Sequence, residues 1–285
     1  MYAQFFGTFL LSHNIVTKDQ LLSALGKKSS QHMKLGTLAI MKGYMTANEV
    51  DNVIISQTHN DCRFGDLAVR EGYLTQEQVD ELVKTQYPDF LLLGQTLVDE
   101  GYITNTQLET LIADYESENE LTDLDYSNEK QDDLDRILAN FFHSTDVAAD
   151  EYNASYMRLL FNDLTRFIGD DFTPLCFNPC KEYPVNYCVS QTIHGDLSAK
   201  VYLDMPETTC ISFASRYVNE EFTEFDEYVQ ASLEDFLNLH NGLYNVNISN
   251  TLGKELTLEA PEVVSDELID LSDSSYLLQI MYPFG

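Results

Sequence analysis

Positive charge is scarce in this sequence. Its 285 residues include 16 Lys and Arg but 47 Asp and Glu, which gives a formal net charge of −31. A nucleic-acid backbone or an anionic membrane surface attracts proteins that carry a positive patch, so the composition argues against both as general partners. The sequence also lacks any run of 18 apolar residues, and we therefore expect no membrane-spanning helix.

Cysteine is infrequent as well, with five residues in the chain. An odd number in a chain of this length does not suggest a disulfide framework. No basic and apolar leader precedes the first glycine-containing segment, so we expect a reducing, cytoplasmic setting. A metal site would have to use Cys176, Cys180, Cys188 and His194. Three residues, including Pro179, separate the first pair and no second close pair follows, so we favour buried thiols and predict no metal.

Glycine spacing is the main pattern of the N-terminal region. Four glycines follow one another at intervals of 29 residues: Gly7, Gly36, Gly65 and Gly94. A fixed period of this kind indicates a repeat architecture. Each glycine is followed by an apolar segment and then by a residue suited to a left-handed helix end, namely Asn14, Gly43, Gly72 or Gly101.

A threonine follows each of these turns and has Gln or Glu three residues later. The pairs are Thr17 with Gln20, Thr46 with Glu49, Thr75 with Gln78 and Thr104 with Gln107. Each pair has the sequence of a capping box at the start of a second helix. Apolar residues then recur four apart, as in Val79 and Val83, which places them on one helical face. Residues 1–115 are therefore predicted to form four helix pairs.

This pattern resembles the N-terminal domain of type II secretion and type IV pilus ATPases, the MshEN-like fold. Members of that family that bind cyclic di-GMP carry an Arg-Leu-Gly opening, paired aliphatics, a central glycine and a closing Gln. Two such motifs separated by five residues hold one ligand. The resemblance implies a cyclic di-GMP site in the second and third repeats, with the residues Lys34, Leu35, Gly36, Gln57, Arg63, Phe64, Gly65 and Gln86.

Two interpretations of the repeats remain open. Lys34 stands where the family has Arg, and Lys lacks the planar guanidinium that stacks on a base and donates two parallel hydrogen bonds. Phe5 and Leu92 stand at the same position of the outer repeats, and Lys28 and Tyr115 replace their closing Gln. The region is either a regulatory site for cyclic di-GMP, with no cofactor required, or a structural or protein-docking helical array.

Residues 116–144 interrupt the apolar patterns. Their first twenty residues, ESENELTDLDYSNEKQDDLD, are acidic and have no clear period. Such a composition cannot bury enough apolar surface to fold and its charges repel one another. We predict a linker between two domains, with an acidic docking segment for a basic partner as the alternative.

Residues 145–285 show a different order of elements. A helix is predicted at about 151–168, and two alternating segments, 185–193 and 197–203, form a hairpin around Gly195. Helices at 207–217 and 224–241 and strands at 255–258 and 276–281 complete the pattern. The predicted fold class is thus multidomain, with an all-α helix-pair repeat array followed by an α+β domain.

This second half resembles the CheC/CheX family of response-regulator phosphatases. The resemblance rests on the segments GDLSAKVYLDM, SFASRYV and APEVV and on the helix that contains Asp235, Asn238 and Gly242. The family motif has an acid separated from an Asn by two residues, and a Pro after 22 intervening residues. Asn238 and Pro261 have that spacing. The sequence departs from the motif at Ala231, where the family has Asp or Ser, and at Asp235, where it usually has Glu.

The resemblance implies a mechanism in which Asn238 orients a water molecule against an aspartyl phosphate of a receiver domain. Asp235 would pair with a conserved Lys of the receiver. The two residues are three apart and so face the same way from one helix. The family also implies self-association as a homodimer. The rival interpretation is a non-enzymatic adaptor that binds proteins of a secretion or pilus assembly.

Overall fold

A computed structural model of the protein describes residues 2–28, 31–85, 87, 89–119, 137–141, 151–272 and 274–284. Most of the predicted linker, 116–144, lies outside the described residues, as do Gln86 and the side chain of Cys176. The chain divides into two compact units. The first comprises residues 1–140 and 171–174, and the second comprises residues 141–170 and 175–285, as far as they are described.

The first unit is rich in helix. Its helices are α1 (Tyr2–Ser12), α2 (Lys18–Lys28), α3 (Leu35–Met41), α4 (Ala47–Gln57), α5 (Phe64–Arg70), α6 (Gln76–Lys84), α7 (Asp89–Asp99) and α8 (Asn105–Glu118). Residues 137–141 are also helical (α9). Within the described ranges, none of the helices combines the length and the apolar character needed to cross a membrane.

Local sequence signals account for where these helices begin and end. The capping boxes predicted at Thr46, Thr75 and Thr104 are present, and Thr17 exchanges the same two hydrogen bonds with Gln20. The residues predicted to be left-handed all have positive φ, namely Asn14, Gly43, Gly72 and Gly101. The helix-rich character of this region is therefore confirmed, while its description as an array of repeats remains a prediction.

Close packing explains the four periodic glycines. A Cβ atom at each would lie 3.3 Å or less from a side-chain atom fourteen residues later, namely Leu21, Val50, Val79 or Leu108. The tightest approach is at Gly94, where the added atom would lie 2.5 Å from Leu108 Cδ1. Protein interiors tolerate such overlap poorly. A side chain at any of these glycines would therefore crowd the partner helix of the pair, most severely at Gly94, whether or not a ligand binds.

Aromatic packing links α1 with α7 and α8. The ring of Phe6 lies 5.2 Å from that of Phe90 and 5.0 Å from that of Tyr115. Tyr115 is almost completely buried. Aromatic rings at these separations contribute dispersion and quadrupole energy beyond their buried area. Tyr115, which stands at the position of Gln57 and Gln86 in the predicted repeats, therefore belongs to the hydrophobic core.

The second unit combines helices with short antiparallel sheets. Its elements are α10 (Glu151–Phe167), β1 (Thr173–Pro179), β2 (Glu182–Pro184), β3 (Tyr187–Gly195), β4 (Ala199–Met205), α11 (Glu207–Val218), α12 (Glu227–Leu252), β5 (Leu256–Leu258), β6 (Glu262–Ser265), β7 (Leu268–Asp270) and β8 (Tyr276–Met281). This order confirms the predicted α+β class.

Strand β3 lies at the centre of the main sheet. It pairs with β4 in the register Tyr187↔Met205 to Ile193↔Ala199. Its other edge pairs with β6 near Tyr187 and with β5 near Gly195. Strands β1 and β8 form a second sheet, and β2 and β7 a third. Because β3 is paired on both edges and covered by α12, most of its side chains are buried.

Several predicted boundaries in this unit need correction. The predicted helix 224–241 begins at Glu227, capped by the Asp226 side chain, and continues to Leu252. The helix passes through Gly242 because buried residues such as Tyr244 and Ile248 continue its apolar face. The hairpin strands lie two residues later than predicted. Strands β1, β2, β6 and β7 were not predicted, because β1 and β2 contain prolines and β2, β6 and β7 have only three or four residues.

Candidate functional site

Helix α12 carries the two residues predicted to be catalytic. One face of α12 packs against β3, β5, α10 and α11 and is buried at Leu233, Phe236 and Leu237. Asp235 and Asn238 lie on the opposite face, where both are exposed. Their spacing of three residues brings them together on the helix surface. Ala231, one turn earlier, is exposed on the same face.

A tyrosine from α11 holds the carboxylate of Asp235. Tyr217 Oη donates a hydrogen bond of 2.7 Å to Asp235 Oδ2. The Tyr217 ring lies edge-on to Phe236, with 5.6 Å between the ring centroids. Burial, together with the bond to Asp235, raises the pKa of Tyr217 well above its usual range. Tyr217 therefore remains a proton donor at physiological pH and fixes one oxygen of Asp235.

A glutamine from β3 holds the side chain of Asn238. Gln191 is buried, with 1% of its surface exposed. Its Nε2 donates one hydrogen bond of 2.8 Å to Asn238 Oδ1 and another of 2.8 Å to the backbone carbonyl of Glu259. The side-chain oxygen of Asn238 thus accepts a hydrogen bond from within the protein. Its Nδ2 group is the branch that remains to donate to a bound molecule.

Two side-chain pairs lie beside this site on the sheet. His194 Nε2 and Glu259 Oε1 are 2.8 Å apart, and Lys200 Nζ and Glu262 Oε2 are 3.0 Å apart. The hydrogen bond to His194 lowers the pKa of Glu259. Both pairs are largely exposed, so solvent screening leaves them little net stabilising energy. Together with Asp235, they give the surroundings of Asn238 both positive and negative charges.

Cys188 and Cys210 of the second unit are buried structural thiols, whereas Cys180, which was expected to be buried, is half-buried. Cys188 is fully buried in β3, and burial raises the pKa of its thiol to about 12. Cys210 is buried in α11 and behaves in the same way. Such thiols are protonated at neutral pH and unreactive. Among the described residues, no three His, Cys, Asp or Glu side chains are grouped to hold a metal ion.

Part of the predicted nucleotide site lines a cavity of about 350 Å³ in the first unit. Five of the predicted residues line it, together with Thr37, Val50, Ile54, Gln95, Val98, Asp99 and Asn105. The five are Lys34, Leu35, Gly36, Gln57 and Phe64. Arg63 and Gly65 do not line the cavity. Arg63 is the residue that precedes α5, and Gly65 lies against α6, where an added Cβ would be 3.1 Å from Val79.

The charges in this cavity balance one another. Lys34 Nζ forms an ion pair with Asp99, and the backbone N–H of Lys34 donates to Gln95 Oε1 at 2.6 Å. Gln57 Nε2 donates to the carbonyl of Cys62 at 3.0 Å. A phosphate that entered the cavity would gain the charge of Lys34 but would also meet that of Asp99. The cavity is therefore close to neutral rather than cationic.

The region that carries Asp235, Asn238, Gln191 and Tyr217 is similar to a known family. Residues 187–285 match the family model of the chemotaxis phosphatase CheX. The matched region begins at β3 and therefore includes α11, α12 and the strands that follow them. A comparison of the sequence with curated proteins finds no match.

Solved structures of similar proteins also carry CheC or CheX names. A CheC-like superfamily protein from Shewanella sp. PV-4 has a TM-score of 0.42 and 16% identity, over 48% of this chain and 94% of that chain. CheX from Vibrio vulnificus has a TM-score of 0.42 and 13% identity, over 48% and 94%. CheX in a complex with CheY, BeF3 and Mg from Borrelia burgdorferi has a TM-score of 0.34 and 18% identity, over 41% and 78%.

Sequence analysis did not identify Tyr217 or Gln191 in the CheX-like region. Tyr217 lies in the segment SFASRYV, but its partner is 18 residues away. Gln191 lies between Ser190 and Thr192 in a strand whose side chains are mostly buried. A polar side chain at a buried strand position needs a hydrogen-bond partner. Gln191 could have been predicted to need a hydrogen-bond partner for this reason, but the sequence does not identify Asn238 as that partner.

Proposed function

We propose that the second unit recognises the phosphorylated receiver domain of a response regulator and hydrolyses its aspartyl phosphate. One observation carries the proposal. Asp235 and Asn238 lie together on an exposed helical face of the region that matches the CheX model, and each is held by a hydrogen bond from a neighbouring element. A polar pair that is only solvated does not need such support.

The reaction requires a water molecule in line with the bond that breaks. The water oxygen attacks phosphorus, the bond between phosphorus and the aspartyl oxygen breaks, and the products are inorganic phosphate and a free carboxylate. Asn238 can orient the water or a phosphoryl oxygen through its amide, which supplies positioning rather than proton transfer. Asp235 can pair with a Lys of the receiver and so fix the direction of approach.

Asp235 is one methylene shorter than the Glu that is usual in the family. Positioning errors of about 1 Å can cost on the order of a hundredfold in rate. Tyr217 limits the positioning error, because its hydrogen bond restricts the carboxylate to one orientation. Because Asp235 reaches less far than Glu, we infer that the receiver approaches α12 more closely here. The small side chain of Ala231 on the same face leaves room for that approach.

Recognition is tested by titrating the full-length protein with receiver domains from the same organism. Each receiver is used unmodified and with beryllofluoride, a stable mimic of the phosphoryl group. We expect at least about tenfold tighter binding to the beryllofluoride form, which corresponds to about 1.4 kcal/mol. Equal affinity for the two forms would contradict recognition of the phosphorylated state.

The substitution Tyr217→Phe tests the support of Asp235. Removing the hydroxyl leaves the carboxylate free to rotate, and a hydrogen bond of this kind contributes about 1 kcal/mol at a partly exposed site. We expect affinity for the beryllofluoride receiver to fall roughly fivefold. Tyr202→Phe, which removes a hydroxyl from β4, should leave the affinity unchanged. An equal fall in both variants would show that the effect is not specific to Asp235.

For the first unit we propose a regulatory site for cyclic di-GMP at the cavity of α3. Its support is that five residues implied by the MshEN resemblance line one cavity. The ion pair of Lys34 with Asp99 opposes phosphate binding, so Asp99→Asn is expected to strengthen the affinity. Calorimetric titration with cyclic di-GMP measures the affinity of the native protein and of Asp99→Asn. If neither protein gives a heat signal at high micromolar ligand, the cyclic di-GMP site is excluded and the first unit is a structural or protein-docking helical unit.

The adaptor interpretation is the alternative for the whole chain. Ala231 favours it, because the family's polar residue is missing there. An adaptor would bind its partner without accelerating phosphate loss, and a pull-down would recover proteins of a secretion or pilus assembly.

Self-association, which the CheX resemblance implies, is measured by sedimentation of the full-length protein.

A further inference from the structure

We propose that Gln191 is a positioning residue that fixes the orientation of the Asn238 side-chain amide, with Nδ2 directed to the exposed face of α12. Its catalytic consequence rests on the proposed function, but the orientation itself does not. The inference follows from which hydrogen-bonding groups can donate and which can only accept.

The orientation of Gln191 is set by the backbone. The carbonyl oxygen of Glu259 lies 2.8 Å from one branch of the Gln191 amide. A carbonyl can only accept, so this branch must be Nε2. The same branch lies 2.8 Å from the Asn238 side chain. Since Nε2 can only donate, the atom of Asn238 that faces it must be Oδ1.

A second chain of contacts is consistent with this assignment. Gln191 Oε1 accepts a hydrogen bond of 2.8 Å from Asn241 Nδ2, and Asn241 Oδ1 accepts one of 2.9 Å from Tyr156 Oη. Asn241 is completely buried. The fixed role in this network is that of the Glu259 carbonyl, which can only accept; it assigns Gln191 Nε2, so Gln191 Oε1 must accept and Asn241 must present Nδ2 to it. The Tyr156 hydroxyl, which can donate or accept, then donates to Asn241 Oδ1.

The outcome is an exposed amide in a defined orientation. If the Asn238 amide turned over, its Nδ2 would face the Nε2 of Gln191, and two donors would meet without an acceptor. That arrangement is unfavourable in a buried environment. Asn238 therefore presents preorganised N–H donors to a bound partner, and its amide loses no orientational entropy during the reaction.

The substitution Gln191→Glu separates positioning from simple core packing. The new carboxylate has nearly the same shape and still accepts from Asn241, but when ionised it cannot donate to Asn238. We expect the Asn238 amide to turn and donate its Nδ2 to the carboxylate, which places Oδ1 on the exposed face. Gln230→Glu is the matched control, because it adds the same charge outside this network, on α12, the helix that carries Asn238.

The first readout is the exchange of the Asn238 side-chain amide protons with water, measured by NMR and assigned by their disappearance in Asn238→Ala. Exchange should be fast in the native protein and in Gln230→Glu, and about tenfold slower in Gln191→Glu, because buried hydrogen bonds protect amides. Unchanged exchange in a folded Gln191→Glu protein would overturn the inference. This result stands whether or not the protein has phosphatase activity.

The second readout is phosphate loss from a phosphorylated receiver at saturating protein. Gln191→Glu should reduce the rate on the order of a hundredfold and leave affinity for the beryllofluoride receiver within about twofold. Native-like turnover in Gln191→Glu would overturn the positioning role. If the native protein shows no turnover, the proposed function fails and the exchange measurement alone decides the inference.

A further variant covers the case in which Gln191→Glu does not fold. Gln191→Met keeps the volume of the side chain but removes both its donor and its acceptor. We expect the NMR signals of the Asn238 side-chain amide to move and turnover to fall at least about tenfold, because the amide is no longer held. Signals that stay at their native positions would contradict the inference.

Discussion

Asn238→Ala is expected to abolish phosphate release from a phosphorylated receiver domain, with a loss of at least about a hundredfold in rate. The physical reason is that the amide acts only in the transition state, where it holds water or a phosphoryl oxygen in line. It contributes little to the contact between the two proteins. Affinity for the beryllofluoride form of the receiver should therefore change by no more than about threefold.

The matched control for this variant is Asn250→Ala. Asn250 is an exposed residue of the same helix, more than three turns from Asn238, and its replacement should leave both rate and affinity unchanged. Single-turnover measurements at saturating protein separate the chemical step from binding. Turnover by Asn238→Ala at the native rate would remove Asn238 from the reaction, whatever the affinity.

Asp163→Ala is expected to destabilise the second unit by about 3 kcal/mol or more. Asp163 Oδ2 lies 2.7 Å from His240 Nδ1, and the side chains are 6% and 1% exposed respectively. This contact joins α10 to α12 two residues after Asn238. His240 Nε2 already has no hydrogen-bond partner among the described residues, so the substitution would leave the whole imidazole unsatisfied. Loss of one member of a buried pair typically costs about 3–5 kcal/mol.

Native-state hydrogen exchange of the full-length protein measures this loss in α10 and α12. The control is Asp163→Asn, whose side-chain oxygen can still accept a hydrogen bond from His240 Nδ1, and which should cost much less. If Asp163→Ala and Asp163→Asn reduced protection equally, the negative charge rather than the hydrogen bond would be the important feature. Unchanged protection in Asp163→Ala would contradict a structural role for the pair.

The features that sequence analysis predicted correctly are mainly local ones. A capping box joins residues three apart, as at Thr75 and Gln78, and a left-handed turn such as that at Gly72 depends on one residue. The hairpin and the final strand also follow from short apolar patterns. These features could be predicted because the interactions that form them involve neighbours in the chain.

The features that it missed depend on contacts between distant residues. Gln191 and Asn238 are 47 residues apart, and Lys34 and Asp99 are 65 residues apart. Periodicity says nothing about either pair. The extension of α12 beyond Asn241 was missed for a related reason: its last turns are held by buried residues such as Tyr244, whose burial depends on α10 and the sheet. Only the fold brings these groups together.

The most direct test of the central claim is the lifetime of the phosphoryl group on a receiver domain, with and without a substoichiometric amount of this protein. The receiver is phosphorylated with labelled phosphate and freed of donor, and release is followed with time. We expect multiple turnovers and a decay that accelerates in proportion to protein concentration. A decay rate that is unchanged at every protein concentration, for a receiver that binds the protein in its beryllofluoride form, would contradict the phosphatase account.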